Sequence, residues 1–147
     1  MAPVERGETF AAKPETIWKA CFSHMKWELW DADVAEVIDV QGDGCVSGTK
    51  CVFVMKDGGM KASTALSNVV ENERLTFSGS MLGGAASFQG DIELTPQDGG
   101  KTLVNYTFHM KGCVGAILNA FKKDAIVGGT EVGLANIGRL SEEAEKK

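Results

Sequence analysis

The chain has 147 residues and a net charge of −5, with 44% hydrophobic and 24% charged residues. These values are typical of one soluble globular domain, which we place at 1–147. The acidic balance and the lack of a lysine or arginine cluster argue against a nucleic-acid partner. The opening MAPVERGETF has no signal-peptide core, and no apolar run approaches the roughly 18 residues of a membrane span. The sequence therefore predicts a cytoplasmic protein.

No motif in the sequence calls for a metal or another cofactor. No two of the four cysteines, Cys21, Cys45, Cys51 and Cys113, have C-x-x-C spacing, so neither a zinc site nor a redox pair is indicated. Reduced, mostly buried thiols are the expectation for a cytosolic chain. The glycine pairs are not followed by G-K-[S/T], and no G-x-S-x-G or H-E-x-x-H occurs.

The first elements are a strand and two short helices. Residues 4–12 are predicted to form a short first strand, and a proline then suits the first turn of a helix at 14–23. Trp18 and Phe22 form an apolar i,i+4 pair on that helix. A second, shorter helical segment is predicted at 25–30.

The middle of the chain predicts an antiparallel meander, because short strand patterns alternate with turns rich in glycine and aspartate. Six strands are expected at 36–40, 49–55, 60–70, 74–81, 86–95 and 102–110. Period-two alternation is cleanest in 86–95, which predicts one apolar face that needs a cover. Its apolar set is Ala86, Phe88, Gly90, Ile92 and Leu94.

The cover is predicted to be a long amphipathic helix over residues 115–145. Leu134, Ile137 and Leu140 extend its apolar arc. Its main stripe is Ile117, Phe121, Ala125, Gly128, Val132 and Ala135.

The same helix contains Gly128, Gly129, Gly133 and Gly138, a burden of roughly 4 kcal/mol relative to alanine. We interpret Gly128 as space for a ligand or as a bend, with close packing of helix on sheet as the alternative.

Four segments carry a family resemblance: AAKPETIWKACFSHMKWELWDADVAEV, VVENERLTFSG, ELTPQDGGKTLVNYTF and VGLANIGRLSEE. They resemble the START-like helix-grip superfamily (SRPBCC), and within it the polyketide cyclase/dehydrase and lipid-transport families. Ala32 stands where proline is frequent in such proteins. The resemblance implies an α+β helix-grip fold, in which a curved antiparallel sheet of about seven strands wraps around a long C-terminal helix. Two short helices follow strand one.

The resemblance also implies an internal cavity between sheet and helix. Relatives bind lipids, sterols, hormones, or alkaloid and polyketide intermediates, and some cyclise them. Trp27 and Trp30 are interpreted as its wall or rim, with plain core as the alternative, and Tyr106 as a group that orients the ligand. The expected ligand-binding residues are Trp27, Trp30, Phe53, Met55, Phe77, Phe88, Tyr106, Phe108, Phe121, Gly128 and Val132.

Few residues suggest catalysis, and no catalytic set is assigned. His24 is expected to cap a helix, His109 to point outward, and Asp31 and Asp33 to cap or lie at the surface. Lys122 could act as a base, although lysine stems commonly extend along apolar surfaces.

Sparse inward titratable groups favour a carrier or sensor of a hydrophobic, lipid-, polyketide- or isoprenoid-like ligand. A polyketide cyclase, aromatase or dehydratase is the alternative. A third possibility is an interaction module with a filled core.

Overall fold

The structure is a computed structural model that describes residues 3–112 and 123–147. Its strands are β1 (Val4–Phe10), β2 (Val34–Gln41), β3 (Lys50–Met55), β4 (Lys61–Val70), β5 (Arg74–Met81), β6 (Ala86–Gln97) and β7 (Lys101–Lys111). Its α-helices are α1 (Pro14–Ile17) and α2 (Lys123–Glu145). A π-helical turn at Trp18–Phe22 continues α1, and single 3-10 turns lie at Trp27–Leu29 and Leu82–Gly84.

The seven strands form one antiparallel sheet with the order β1-β7-β6-β5-β4-β3-β2. The hairpins from β2 to β7 follow the chain, and β1 joins the free edge of β7, with Val4 opposite Phe108. The predicted meander and helix-grip architecture are therefore confirmed. The predicted helix at 115–145 is observed from Lys123 onward, and its earlier part lies outside the described residues.

Two glycines inside the sheet make room for aromatic rings of the neighbouring strand. Gly79 pairs with Phe88 and Gly90 pairs with Phe77 across β5 and β6. Each phenylalanine ring lies directly over its glycine, so that a Cβ atom there would overlap the ring. The rings can therefore lie close against the concave face of the sheet, where they form a continuous aromatic layer.

Helix α2 covers this concave face, but the predicted stripe is wrong in phase. Val132 is 51% exposed, and Ala125 and Ala135 are also exposed. The buried side of α2 instead consists of Ile126, Thr130, Gly133, Leu134, Ile137, Gly138 and Ser141.

Polar and glycine positions on the buried side account for the error in phase. The Thr130 hydroxyl donates to the Ile126 carbonyl over 2.8 Å, and the Ser141 hydroxyl lies 3.5 Å from Cys21 Sγ. Both polar side chains have hydrogen-bond partners, Thr130 within its own helix and Ser141 in the first helical segment, so burial costs them little. A search for apolar periodicity passes over them.

Side-chain hydrogen bonds hold α2 to the N-terminal third of the chain. Asn136 Nδ2 donates to the Trp30 carbonyl over 3.1 Å. The backbone N–H of Ala11 donates to Glu142 Oε2 over 2.9 Å. The segment that contains the tryptophans is thus fixed between the sheet and the C-terminal helix.

Three cysteines, Cys21, Cys45 and Cys51, are buried and form no disulfide. Burial raises the pKa of each thiol, to about 11 for Cys21 and Cys51 and to about 12 for Cys45. Cys113 lies outside the described residues.

Within the described part of the chain, no helix has the length and apolarity to cross a membrane.

Candidate functional site

A pocket of about 150 Å³ lies between α2 and the concave face of the sheet. Among the described residues, its lining is rich in aromatic side chains and methionines. The six aromatic residues are Trp30, Phe53, Phe77, Phe88, Tyr106 and Phe108. The four methionines are Met55, Met60, Met81 and Met110.

The rings support one another in the geometries that aromatic pairs prefer. Phe88 lies nearly parallel to Phe53, with ring centroids 6.2 Å apart and an interplanar angle of 14°. It stacks on Phe108 in the same way, at 6.1 Å and 18°. Trp30 meets Tyr106 edge to face at 5.9 Å. Such contacts hold the wall rigid, because each ring is fixed by its neighbours.

One end of the pocket is polar and is built by three segments of the chain. Asp31 and Asp33 come from the turn after the tryptophans, Lys56 and Asp57 follow β3, and α2 contributes Gly129. The Asp33 N–H donates to Asp31 Oδ1 over 2.9 Å, which is the short-range bond typical of an Asx turn. The Lys56 N–H donates to the Asp33 carbonyl over 2.9 Å and joins the turn to the end of β3.

Gly129 determines how closely Asp33 can approach the helix. A Cβ atom at position 129 would lie 2.9 Å from Asp33 Oδ2, which is closer than real Cβ contacts. Glycine therefore lets the carboxylate lie directly against the α2 backbone. A second glycine of α2 also allows a close approach to a side chain of the pocket. A Cβ on Gly133 would meet the ring of Tyr106 at 3.6 Å.

Burial changes the proton affinity of the polar end. It raises the pKa of Asp31 from 3.8 to about 6, with a smaller increase from the charge of Asp33 and decreases from hydrogen bonds and Lys56. Burial also raises the pKa of Asp33, and the positive charge of Lys56 opposes that shift. The pKa of Tyr106 lies well above 10.0, first because of burial and then because of the two carboxylates. Asp31 therefore titrates near neutral pH, whereas Tyr106 keeps its proton.

The sequence profile of a family described as polyketide cyclase/dehydrase and lipid transport matches residues 1–142. This chain belongs to the polyketide cyclase/dehydrase and lipid-transport family. Comparison with curated proteins gives no significant match.

Solved structures share the fold at low sequence identity. A protein from Thermus thermophilus superposes with a TM-score of 0.72 at 15% identity, covering 97% of this chain and 99% of that one. A hypothetical protein from Helicobacter pylori gives 0.77 at 11% identity, covering 95% and 88%. DynU16, from the dynemicin biosynthetic locus, gives 0.67 at 17% identity, with 97% of this chain matched to 48% of that chain.

In this member of the cyclase/dehydrase and lipid-transport family, most of the sequence-predicted site residues come together. Seven of them line the pocket: Trp30, Phe53, Met55, Phe77, Phe88, Tyr106 and Phe108. Their roles toward a ligand stay predictions. Phe121 and Lys122 lie outside the described residues.

Three predicted site residues lie away from the pocket. Trp27 is 0% exposed and belongs to the aromatic core, with its indole N–H donating to the Phe22 carbonyl over 3.1 Å. Val132 faces solvent. Gly128 is not part of the pocket lining, and a Cβ atom there would meet no other atom within 4 Å. Both helix positions follow from the error in the phase of α2.

The polar residues of the pocket are the ones that sequence reasoning missed. Asp31 and Asp33 were expected to cap a helix or lie at the surface, and Lys56 was not singled out. Their proximity depends on the packing of three segments distant in sequence, which no local pattern shows. The available signal was the D-A-D sequence directly after the tryptophans, a turn that leads into a strand.

The two histidines lie outside the pocket, as predicted. His24 Nε2 is 2.8 Å from the Ala20 carbonyl, which places its ring at the end of the first helical segment. His109 pairs with Gln89 on the outer face of the sheet and lines a shallow groove there. Neither lies among the residues that line the aromatic pocket.

Asp31→Asn is expected to stabilise the fold at about pH 7.5 by about 1–2 kcal/mol. The folded-state pKa of Asp31 is raised above its unfolded value, so its ionised form opposes folding, and each pKa unit corresponds to about 1.4 kcal/mol. Partial solvent access reduces the full effect. The amide keeps the oxygen that accepts from Asp33.

The sign of the pH dependence provides the measurement. The contribution of Asp31 to the free energy of unfolding of the wild type should increase as pH falls from about 6 to about 4, because the folded state binds the extra proton. Urea melts across this range should show a flatter profile for Asp31→Asn than for the wild type. Identical profiles would mean that Asp31 titrates normally. Asp43→Asn, in an exposed turn, serves as the control.

Proposed function

We propose that this protein binds a small, mainly apolar molecule in the aromatic pocket and acts as its carrier or sensor. The observation that carries the proposal is the composition of the pocket: among the described residues, six aromatic residues and four methionines line it, and polar side chains are fewer. Small-molecule sites have this character, with apolar walls for affinity and a few polar groups for orientation. Family membership is consistent with this use of the fold.

The volume of the pocket limits the size of the molecule. A cavity of about 150 Å³ is comparable to the engineered apolar cavity that accommodates benzene. A ligand with one ring therefore fits this conformation, with a short polar tail at the Asp31 end. A long acyl chain or a fused polycycle would require the walls to move apart.

A bulky side chain at the mouth tests the proposal. Ala125 is exposed and borders the pocket, so Ala125→Trp should cover the opening and weaken binding of phenethyl alcohol at least tenfold, or about 1.4 kcal/mol. Ala135→Trp is the matched control, because Ala135 is exposed on the same helix but away from the pocket. Calorimetry measures binding, and thermal melts confirm that both variants fold.

The comparison of the two tryptophan variants decides between a site and a filled core. Weakened binding in Ala125→Trp alone supports the pocket. Equal weakening in both variants would indicate a nonspecific effect of the added indole. If wild-type protein binds none of a panel of one-ring alcohols, ketones and amines, the pocket is not a binding site, and an interaction module becomes the better interpretation.

A second candidate function is an enzyme of the cyclase, aromatase or dehydratase type. The observation that favours it is Asp31, a carboxyl with a pKa of about 6 at the edge of an apolar pocket beside Asp33 and Tyr106. A general acid–base catalyst works best when its pKa lies near the working pH. The expected scarcity of inward titratable groups was wrong, so that argument for simple binding is lost.

Exchange of carbon-bound protons tests this candidate without knowledge of the substrate. Phenylacetone, a one-ring ketone, is incubated with the protein in deuterated buffer, and proton NMR follows loss of the signals beside the carbonyl. An acid–base site should accelerate this exchange over buffer, and Asp31→Asn should slow it while Asp43→Asn does not. Equal rates with wild type and Asp31→Asn would exclude Asp31 as the proton carrier in this reaction.

A further inference from the structure

The polar end of the pocket has an excess of negative charge. Among the described residues that line the pocket, three are carboxylic acids, Asp31, Asp33 and Asp57, and one is a cation, Lys56. Lys56 is near enough to lower the pKa of Asp31 and Asp33, yet among the described residues neither carboxylate forms an ion pair. Asp31 and Asp33 thus lie partly buried at the edge of an apolar space, and no described residue forms a salt bridge with either of them.

The hydroxyl of Tyr106 is a second polar group that is available to a ligand in the pocket. Tyr106 is only 4% exposed and borders the pocket. Among the described residues, no hydrogen bond to its hydroxyl is present. Within the part of the chain that the structure describes, the fully buried side-chain atoms that lack a partner are Glu28 Oε1 and Thr49 Oγ1, so the Tyr106 hydroxyl retains accessible surface and is open to a hydrogen bond from a ligand. The charges of Asp31 and Asp33 act on this hydroxyl, so the hydroxyl and the two carboxylates lie near one another at the same end of the pocket.

The walls add a feature that suits a positive charge. The face of an aromatic ring carries partial negative charge, and a cation within about 6 Å of a ring centre is attracted to it. Tyr106 is an aromatic residue of the pocket that also lies near its acidic end, since the charges of Asp31 and Asp33 act on it, and the Trp30 ring meets the Tyr106 ring at 5.9 Å. Aromatic faces combined with carboxylates are the surroundings that an organic ammonium group prefers.

We propose that the pocket selects a protonated amine with a one-ring apolar body, held by Asp31 and Asp33 at its ammonium end. This inference rests on the proposed binding function and specifies its ligand class. The ring occupies the space among the phenylalanines, and the ammonium group donates to the two carboxylates. The Tyr106 hydroxyl accepts a further hydrogen bond from the ammonium group, which satisfies it within the pocket. A carboxylate ligand is disfavoured, because two like charges would oppose it and only Lys56 would attract it.

Three one-ring probes of matched size test the charge preference. Phenethylamine is a cation at about pH 7.5, phenethyl alcohol is neutral, and phenylacetate is an anion. Calorimetry with the full chain should give binding of the amine at least about tenfold tighter than the alcohol, with phenylacetate weakest. The amine should weaken as pH falls below about 6, where Asp31 takes up a proton, while the alcohol stays unchanged.

Carboxamide variants identify the groups responsible. Asp31→Asn and Asp33→Asn should each reduce the preference for amine over alcohol several-fold, and the double variant should abolish it, because the amine loses two charge interactions and the neutral alcohol loses none. Asp43→Asn removes an acidic group in an exposed turn and should leave all three affinities as in the wild type. Thermal melts establish that the variants are folded.

The outcomes separate this inference from the proposed function. If the alcohol binds as tightly as the amine, the charge preference is wrong and the apolar pocket stands. If the carboxamide variants weaken amine and alcohol equally, the aspartates shape the pocket rather than recognise charge, which also overturns the inference. If wild-type protein binds none of the probes, the proposed function itself fails.

Discussion

Trp27→Ala is expected to lower the free energy of unfolding by about 3–5 kcal/mol, the usual cost of truncating a fully buried tryptophan. Trp27 is 0% exposed, and its ring lies 5.3 Å from that of Phe77 and 5.5 Å from that of Trp30, centroid to centroid. The substitution would leave a void among rigid rings and remove the donor to the Phe22 carbonyl. Neighbouring rings that support one another cannot easily collapse into that void.

Chemical denaturation with tryptophan-independent detection, such as far-ultraviolet circular dichroism, measures this loss. Leu29→Ala is the control, because Leu29 belongs to the same 3-10 turn but is 46% exposed, and its change should stay within about 0.5 kcal/mol. A loss below about 1 kcal/mol for Trp27→Ala, together with lost probe binding, would show that Trp27 is a movable wall of the pocket and not core.

Two glycine-to-alanine substitutions in α2 are expected to act in opposite directions. Gly128→Ala should stabilise the protein by about 1 kcal/mol, because alanine is the better helix former and a Cβ there meets nothing within 4 Å. Gly138→Ala should destabilise it by about 1–3 kcal/mol, the typical cost of overpacking. A Cβ atom at position 138 would overlap the ring of Phe10, which is 6% exposed and anchors the end of β1.

The pair of variants controls for helix propensity, since the same residue changes in the same helix. Thermal and urea melts give the two free energies, and the difference between them should reach about 2–4 kcal/mol. A third variant, Gly138→Ala combined with Phe10→Leu, should recover part of the loss if the ring causes it. Stabilisation by both single variants would mean that Phe10 rotates away without cost. Gly128→Ala should leave probe binding unchanged.

The sheet was predictable because its signals are local. Alternation in 86–95 and the glycine-rich turns identify strands and hairpins without knowledge of the rest of the fold, and β6 is observed at Ala86–Gln97. The aromatic wall followed from the same alternation, since Phe88 and Phe108 share the inward face with the other apolar residues of their strands. The family resemblance then supplied the cover of the sheet by a C-terminal helix.

The phase of α2 and the polar end of the pocket depend on contacts that the sequence does not display. Thr130 and Ser141 are buried although polar, because each makes a short-range or specific hydrogen bond. Gly138 is buried because Phe10, more than a hundred positions earlier, needs its space. Asp31 and Asp33 acquire their raised pKa values only when α2 and the end of β3 close over them.

The pairing of β1 with β7, together with the hydrogen bond from Ala11 to Glu142, has a consequence for how the protein reaches its native state. Strand β1 and Ala11 find their partners only in β7 and α2, which are synthesised about a hundred residues later. Contacts between such remote positions close large loops, which slows folding. Until α2 has been synthesised, Trp27 and Trp30 lack part of their final surroundings, and exposed aromatic surface of this kind promotes association between nascent chains. Shielding of this segment during translation is therefore expected to raise the yield of folded protein.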